Sequence, residues 1–203
     1  MTLNRRELLL AGAAFSLIGA GVAAVLLPLS SPARADDTTV SPADLADAGP
    51  NGDVWLGSDK APVTIIEYAS MTCPHCAHFE ENTLPELKKR YIDTGKVHYT
   101  LRTFPLDQLA AAGFMIAICG GKDKYMPIVE TLFAKQFGFT DDQFKQCLAN
   151  QKVLDDIQAV RDHAVQKLGV NSTPTFFING KKLVGDVSID QLSKEIDPYL
   201  KEG

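Results

Sequence analysis

Cysteine is scarce in this chain: four residues in 203, too few for the disulfide framework that holds small secreted scaffolds together. Positive charge is also in deficit. Against 20 lysines and arginines stand 25 aspartates and glutamates, with no basic stripe, which argues against a nucleic-acid partner. A second C-x-x-C is missing as well. Outside Cys73-Pro74-His75-Cys76 the cysteines are Cys119 and Cys147, 28 residues apart, and they do not supply the second ligand pair of a zinc site. His78, His98 and His163 share no spacing with one another or with a carboxylate cluster that would suggest a metal or a triad, and no internal repeat is visible.

The long apolar stretch from Leu8 to Leu29 follows Arg5-Arg6 and ends at Ala33-Arg34-Ala35, an A-x-A cleavage site before Asp36. Residues 1–35 therefore read as an export signal. The paired arginines resemble the twin-arginine form, from which Asn4 and Leu8 depart, so the general secretory route stays open. A retained membrane anchor is the alternative, since the run is long enough to span. Removing Arg5, Arg6, Arg34 and Glu7 from the 20 basic and 25 acidic residues leaves 17 and 24, a formal charge of −7 on 168 residues. That length suits one domain with a sizeable core. Beyond the cytoplasm, disulfides form and persist.

The chemistry concentrates in Cys73-Pro74-His75-Cys76, which follows the β-branched and apolar run 63–70, a buried strand. A strand that feeds C-x-x-C into a helix is redox architecture. Free N–H groups and the positive end of the macrodipole at a helix start favour a thiolate at Cys73. A protonated His75 would add positive charge. Cys73 is then the attacking sulfur and Cys76, one turn on, the resolving one. The alternatives are a structural disulfide or half of a metal site.

Residues 36–60 carry Pro42, Pro50, Gly52 and Gly57, and only Val54-Trp55-Leu56 offers apolar anchorage. They read as a flexible N-terminal segment with one short docked piece. Helical spacing runs over 74–93 with a bend at Pro85, and Gly95 closes it. Residues 96–104 form a second strand stopped by Pro105. From 106 to 168 the pattern is helical, in four segments: 106–119, 126–136, 141–150 with a capping box at Thr140 and Gln143, and 153–168 closed by Gly169. A hairpin follows, 175–178 and 182–185 around Asn179-Gly180, and Ser188 with Gln191 caps a last helix. Lys88-Lys89-Arg90 reads as a solvated helix face.

This order, with Ser172-Thr173-Pro174-Thr175 ahead of the hairpin, resembles the thioredoxin fold. The helical block at about 106–168 is similar to that of the DsbA family of bacterial envelope thiol oxidoreductases, whose typical active-site tetrapeptide is Cys-Pro-His-Cys. The match covers residues 61–203. The fold class expected is thus α/β, a thioredoxin fold with an inserted helical domain. The resemblance implies that the Thr173-Pro174 bond is cis and faces the disulfide, with Thr173 and Pro174 holding a substrate strand beside Cys73. It also places a buried acid, Glu67, beneath the disulfide; an isolated buried charge is expensive, and Glu67 could take the Cys76 proton. A solvent-facing Glu67 at a strand edge is the alternative.

The resemblance implies a monomer that donates the Cys73–Cys76 disulfide to reduced client proteins in the periplasm, re-oxidised by a DsbB-like membrane partner, with no cofactor beyond the redox disulfide and no metal. Thr173 departs from the valine typical of DsbA oxidases and is more like the isomerases. The rival readings are accordingly an isomerase or reductase of the same fold, or a non-catalytic peptide- or metal-binding module. About 25 residues between the cleavage site and the fold leave no room for the dimerisation domain of the DsbC isomerases. Cys119 and Cys147 are expected to pair as a structural disulfide, with two buried thiols as the alternative.

Overall fold

The computed structural model describes residues 39–135 and 148–201. Five strands form one sheet in the order β1-β3-β2-β4-β5. They are β1 (Trp55–Leu56), β2 (Val63–Ala69), β3 (Val97–Thr103), β4 (Thr175–Ile178) and β5 (Lys181–Val184). β2 and β3 run parallel, Val63 opposite Val97 and Ala69 opposite Thr103, and the other pairs are antiparallel. Six of the seven β2 residues are buried, as expected of a central strand covered on both faces. Asn179 and Gly180 both take positive φ, 45° and 88°, the geometry of the tight hairpin read from the Asn-Gly pair.

The helical run after β2 is not the single bent helix expected. It alternates: α2 (Pro74–His78), a π-helical turn at Phe79–Thr83, α3 (Leu84–Leu87) and a second π turn at Lys88–Ile92. Pro85 has no N–H to offer the turn below it, and around it the ladder widens, with Leu84 N–H bonding to Phe79 O and Asp93 N–H to Lys88 O. The run covers one sheet face, where Phe79 lies 4.7 Å from Phe176 between ring centroids. α7 (Ile189–Leu200), started by the expected capping box at Ser188 and Gln191, buries Leu192 and Ile196 in the same core.

The inserted block comprises α4 (Gln108–Cys119), α5 (Lys122–Lys135) and α6 (Gln151–Leu168). α4 starts two residues later than the apolar pattern suggested, because Asp107 is the N-cap and accepts from Ala110 N–H at 2.8 Å. α5 begins four residues earlier than expected and takes Pro127 in its interior. α6 ends at Gly169, in the left-handed conformation (φ 63°). Its Val160, Ala164 and Leu168 pack with Ile66, Tyr68 and Phe177 on the second sheet face. The helix expected over 141–150 and its Thr140 cap fall almost wholly outside the described residues.

The segment expected to be flexible over 36–60 is docked from Thr39 onward. Thr39 bridges Lys181, α1 (Pro42–Ala46) follows, and β1 pairs with β3. The cause is Arg102, 4 % exposed, which the sequence reading passed over. Its guanidinium donates two bonds to Asp53 at 2.9 and 2.8 Å, one to Leu45 O at 2.8 Å and one to the Tyr68 hydroxyl at 2.9 Å. A buried cation demands such partners, and two of these acceptors belong to the segment.

Candidate active site

β2 ends at Ala69, and Ser70 turns the chain: its carbonyl accepts from Cys73 N–H at 3.0 Å. Its hydroxyl accepts from Leu106 N–H at 3.2 Å, tying the start of the helical block to the same corner. Cys73 is the N-cap of α2, with extended backbone, and Pro74 opens the helix, where a missing N–H costs nothing. Cys73 is 5 % exposed and Cys76 fully buried; both are free thiols. Pro74 and His75 are exposed.

The chain returns to this point a hundred residues later. The Thr173-Pro174 bond is cis, and the Cys73 thiol donates to the Thr173 carbonyl at 3.3 Å. Pro174 O accepts from Gly185 N–H at 2.9 Å, so β5 braces the loop from behind. The Thr173 hydroxyl is buried and bonds to no described residue while Cys73 is a thiol, which leaves it free to donate to the sulfur once that ionises.

The electrostatics separate the two sulfurs. Cys73 is drawn down from 9.0 to about 5, first by the hydrogen bond from the Cys76 side chain, against the cost of burial, then by Thr173 and by the backbone N–H groups of Cys76 and His75. Ionisation removes the S–H that donates to the Thr173 carbonyl, and these donors take over. His75 thus enters through its backbone N–H. Cys76 is pushed far up, by burial above all, then by its bond to Cys73 and by the charge of Glu67.

Glu67 is fully buried, which removes the strand-edge alternative. Burial, followed by the charge of Glu80, raises it well above the carboxylate range. Tyr99 donates to its Oε2 at 2.6 Å, while Oε1 has no partner among the described residues. The sequence reading missed Tyr99 and Glu80. For Glu80 a signal existed: Cys76, Glu80 and Leu84 recur every four residues on one helix face, and all three are buried.

The remaining candidates lie elsewhere. His78 pairs with Asp186 at 2.8 Å, and His163 meets Asp44 O at 2.7 Å and Asp47 at 3.5 Å. His98 stacks on Trp55. Lys88 pairs with Glu130 and Arg90 with Glu86. Cys119 is disulfide-bonded; Cys147 lies outside the described residues. Among the described residues no three His, Cys, Asp or Glu side chains gather as a metal site, and no helix is long and apolar enough to cross a membrane.

Comparison with known proteins agrees with this geometry. The thioredoxin family model matches residues 50–198. The structure of Wolbachia pipientis alpha-DsbA1 superposes with a TM-score of 0.68 at 32 % identity, over 73 % of this chain and 92 % of that one. A putative protein-disulfide oxidoreductase of Rickettsia conorii is 32 % identical over 75 % of this chain and 62 % of its own length. A probable disulfide bond formation protein D of Bacillus anthracis is 30 % identical over 72 % and 78 %. The chain thus spans under two thirds of the Rickettsia relative. It has the thioredoxin fold with an inserted helical domain. Within that class it belongs to the DsbA-like family of thiol:disulfide oxidoreductases.

Proposed function

We propose that this protein is an exported thiol:disulfide oxidoreductase that donates its Cys73–Cys76 disulfide to folding proteins of the cell envelope. The observation that carries the reading is the split between the two thiols, Cys73 drawn down to about 5 and Cys76 pushed up. A client thiolate attacks Cys73, the S–S bond breaks, and its electron pair leaves on Cys76, which takes a proton from neutral Glu67. A second client thiolate attacks the client sulfur of the mixed disulfide and releases Cys73 as a thiolate. The client is oxidised by two electrons and the protein reduced by two. A leaving group this stable makes the reduced form favourable and the protein a strong oxidant. Thr173 and Pro174 offer backbone groups to the client strand, and the charge of a protonated His75 lowers Cys73 further.

The same reading assigns residues 1–35 as a cleaved leader, by the twin-arginine or the general secretory route, and the periplasm as the place of action. A DsbB-type membrane protein restores the disulfide, the protein acts as a monomer, and Cys119 pairs with Cys147. A redox equilibrium with glutathione, with the resting redox state of the exported protein, tests it. An oxidase rests oxidised and takes electrons from reduced glutathione readily. Thr173 before Pro174 supports the second reading, an isomerase or reductase, which would rest reduced.

A further inference from the structure

A ring of contacts closes around Cys73. Its thiol donates to the Thr173 carbonyl at 3.3 Å, and Pro174 O accepts from Gly185 N–H at 2.9 Å. Gly185 opens the short connection 185–188 between β5 and α7. That connection is tied back to the helical run that carries both cysteines: the Thr83 hydroxyl donates to Val187 O at 3.0 Å, and His78 Nδ1 lies 2.8 Å from Asp186 Oδ2. The run therefore meets the Thr173-Pro174 loop by two routes, directly through the Cys73 thiol and indirectly through the connection.

The two ties to the connection differ in kind. The Thr83 bond is buried and Val187 is fully buried in the core, so packing already fixes that end. The other end has little packing of its own. Gly185 stands at φ 98°, and a Cβ there would meet nothing within 4 Å; a glycine backbone so placed has wide conformational freedom. The His78 and Asp186 side chains are 58 % and 28 % exposed, and their contact lies one residue from the N–H that holds Pro174 O. What this loop does for the sulfur depends on distance. Thr173 accepts from the Cys73 thiol and donates to the thiolate, and a hydrogen bond to a charged group weakens steeply as its length and angle drift.

We propose that His78 and Asp186 are positioning residues for disulfide exchange: their contact holds the β5–α7 connection against α2 and, through Gly185 and Pro174, fixes where Thr173 stands against the Cys73 sulfur. The proposal deepens the disulfide-donor reading and rests on it. The covalent step is unaltered. A client thiolate breaks the S–S bond and the second client thiolate releases Cys73 as a thiolate, which Thr173 then meets in place. A loosened loop gives that thiolate weaker support and makes the protein a weaker oxidant. A direct charge effect on the sulfur would act otherwise. Losing an imidazolium at His78 would raise the Cys73 titration and losing the carboxylate of Asp186 would lower it, whereas loss of the clamp moves both the same way.

The test is the redox equilibrium of the full chain with glutathione at neutral pH, with the ultraviolet titration of the Cys73 thiolate, in His78→Leu, Asp186→Ala, the double variant and His78→Asn. Each of the first two should be a weaker oxidant by about threefold, the scale of an ion pair this exposed, and each should move the thiolate titration upward. The double variant should match the single ones, since two halves of one contact are non-additive. Asparagine offers a donor near the position of Nδ1 without the charge, so His78→Asn should return to the wild-type equilibrium. A role confined to stability would lower the melting temperatures of the oxidised and reduced forms alike and leave the equilibrium unmoved. Folded variants with wild-type equilibrium and titration, shifts of opposite sign in His78→Leu and Asp186→Ala, additive effects in the double variant, or an asparagine variant no better than the leucine each overturn the clamp. Should His78→Leu not fold, Asp186→Ala and His78→Asn carry the same comparison. A wild type that exchanges no disulfide with glutathione removes the disulfide-donor reading, and the thiolate titrations of the variants still decide the clamp.

Discussion

Cys73 Sγ and the Thr173 carbonyl, 100 positions apart in the chain, meet at 3.3 Å. The contact fixes which sulfur faces an incoming client, since Cys76 is fully buried one helical turn behind. Cys73→Ser should therefore abolish disulfide exchange, while Cys76→Ser should accumulate mixed disulfides with client proteins, seen as reducible adducts on gels. Equal trapping by the two variants would contradict the assignment of the nucleophile.

The Cys73 thiolate should titrate near pH 5, followed by its ultraviolet absorbance in the reduced protein. A depressed native pKa stabilises the reduced fold fully above the ordinary value of 9.0, and the gain disappears as pH falls through about 5. The melting temperature of the reduced protein should thus drop toward that of the oxidised one across this range. The Cys76 side chain supplies the largest support, so Cys76→Ala should move the titration upward more than any other single change. His75→Leu leaves the backbone N–H in place and tests the imidazole alone. An unmoved titration would confine the role of His75 to its main chain.

Much of this arrangement was legible in the sequence because it is written locally. The β-branched run before Cys73, the Asn179-Gly180 turn and the Ser188 capping box each specify their own geometry through near neighbours. The features that escaped depend on partners far along the chain. Arg102 reads as one polar residue in an alternating strand until Asp53, Leu45 and Tyr68 close around it. Glu80 shares a helix face with Cys76 and Leu84, but its charge masks that spacing until the helix is seen to be buried there. Pro85 announces a bend, but a bend and the widened turn just before it, at Phe79–Thr83, share one cause, a missing N–H, and the sequence does not choose between them.

Arg102 and Asp53 form a buried ion pair, the side chains 3 % and 7 % exposed. Removing one partner strands the other's charge, so Asp53→Asn should cost about 3 kcal/mol, measured by denaturant unfolding. Amide exchange should quicken over 42–56 before the rest of the domain, because Arg102 also holds Leu45 O. Uniform exchange with unchanged stability would mean that the segment docks through its apolar contacts alone.

Glu80 should leave a mark on stability that needs no redox chemistry. Its carboxyl is raised from 4.5 to about 8. Between those values the native state keeps a proton that the unfolded chain has lost, so stability falls as pH rises through that window and levels off above it. Glu80→Leu removes this contribution. The variant should lie closest to wild type in stability below about pH 4.5 and gain on it progressively toward pH 8, by up to about 5 kcal/mol. Glu67 titrates in the same direction and keeps part of the slope in the variant. Unfolding curves at matched pH measure the difference directly, and a stability difference that stays constant with pH would mean that Glu80 titrates as an ordinary carboxylate.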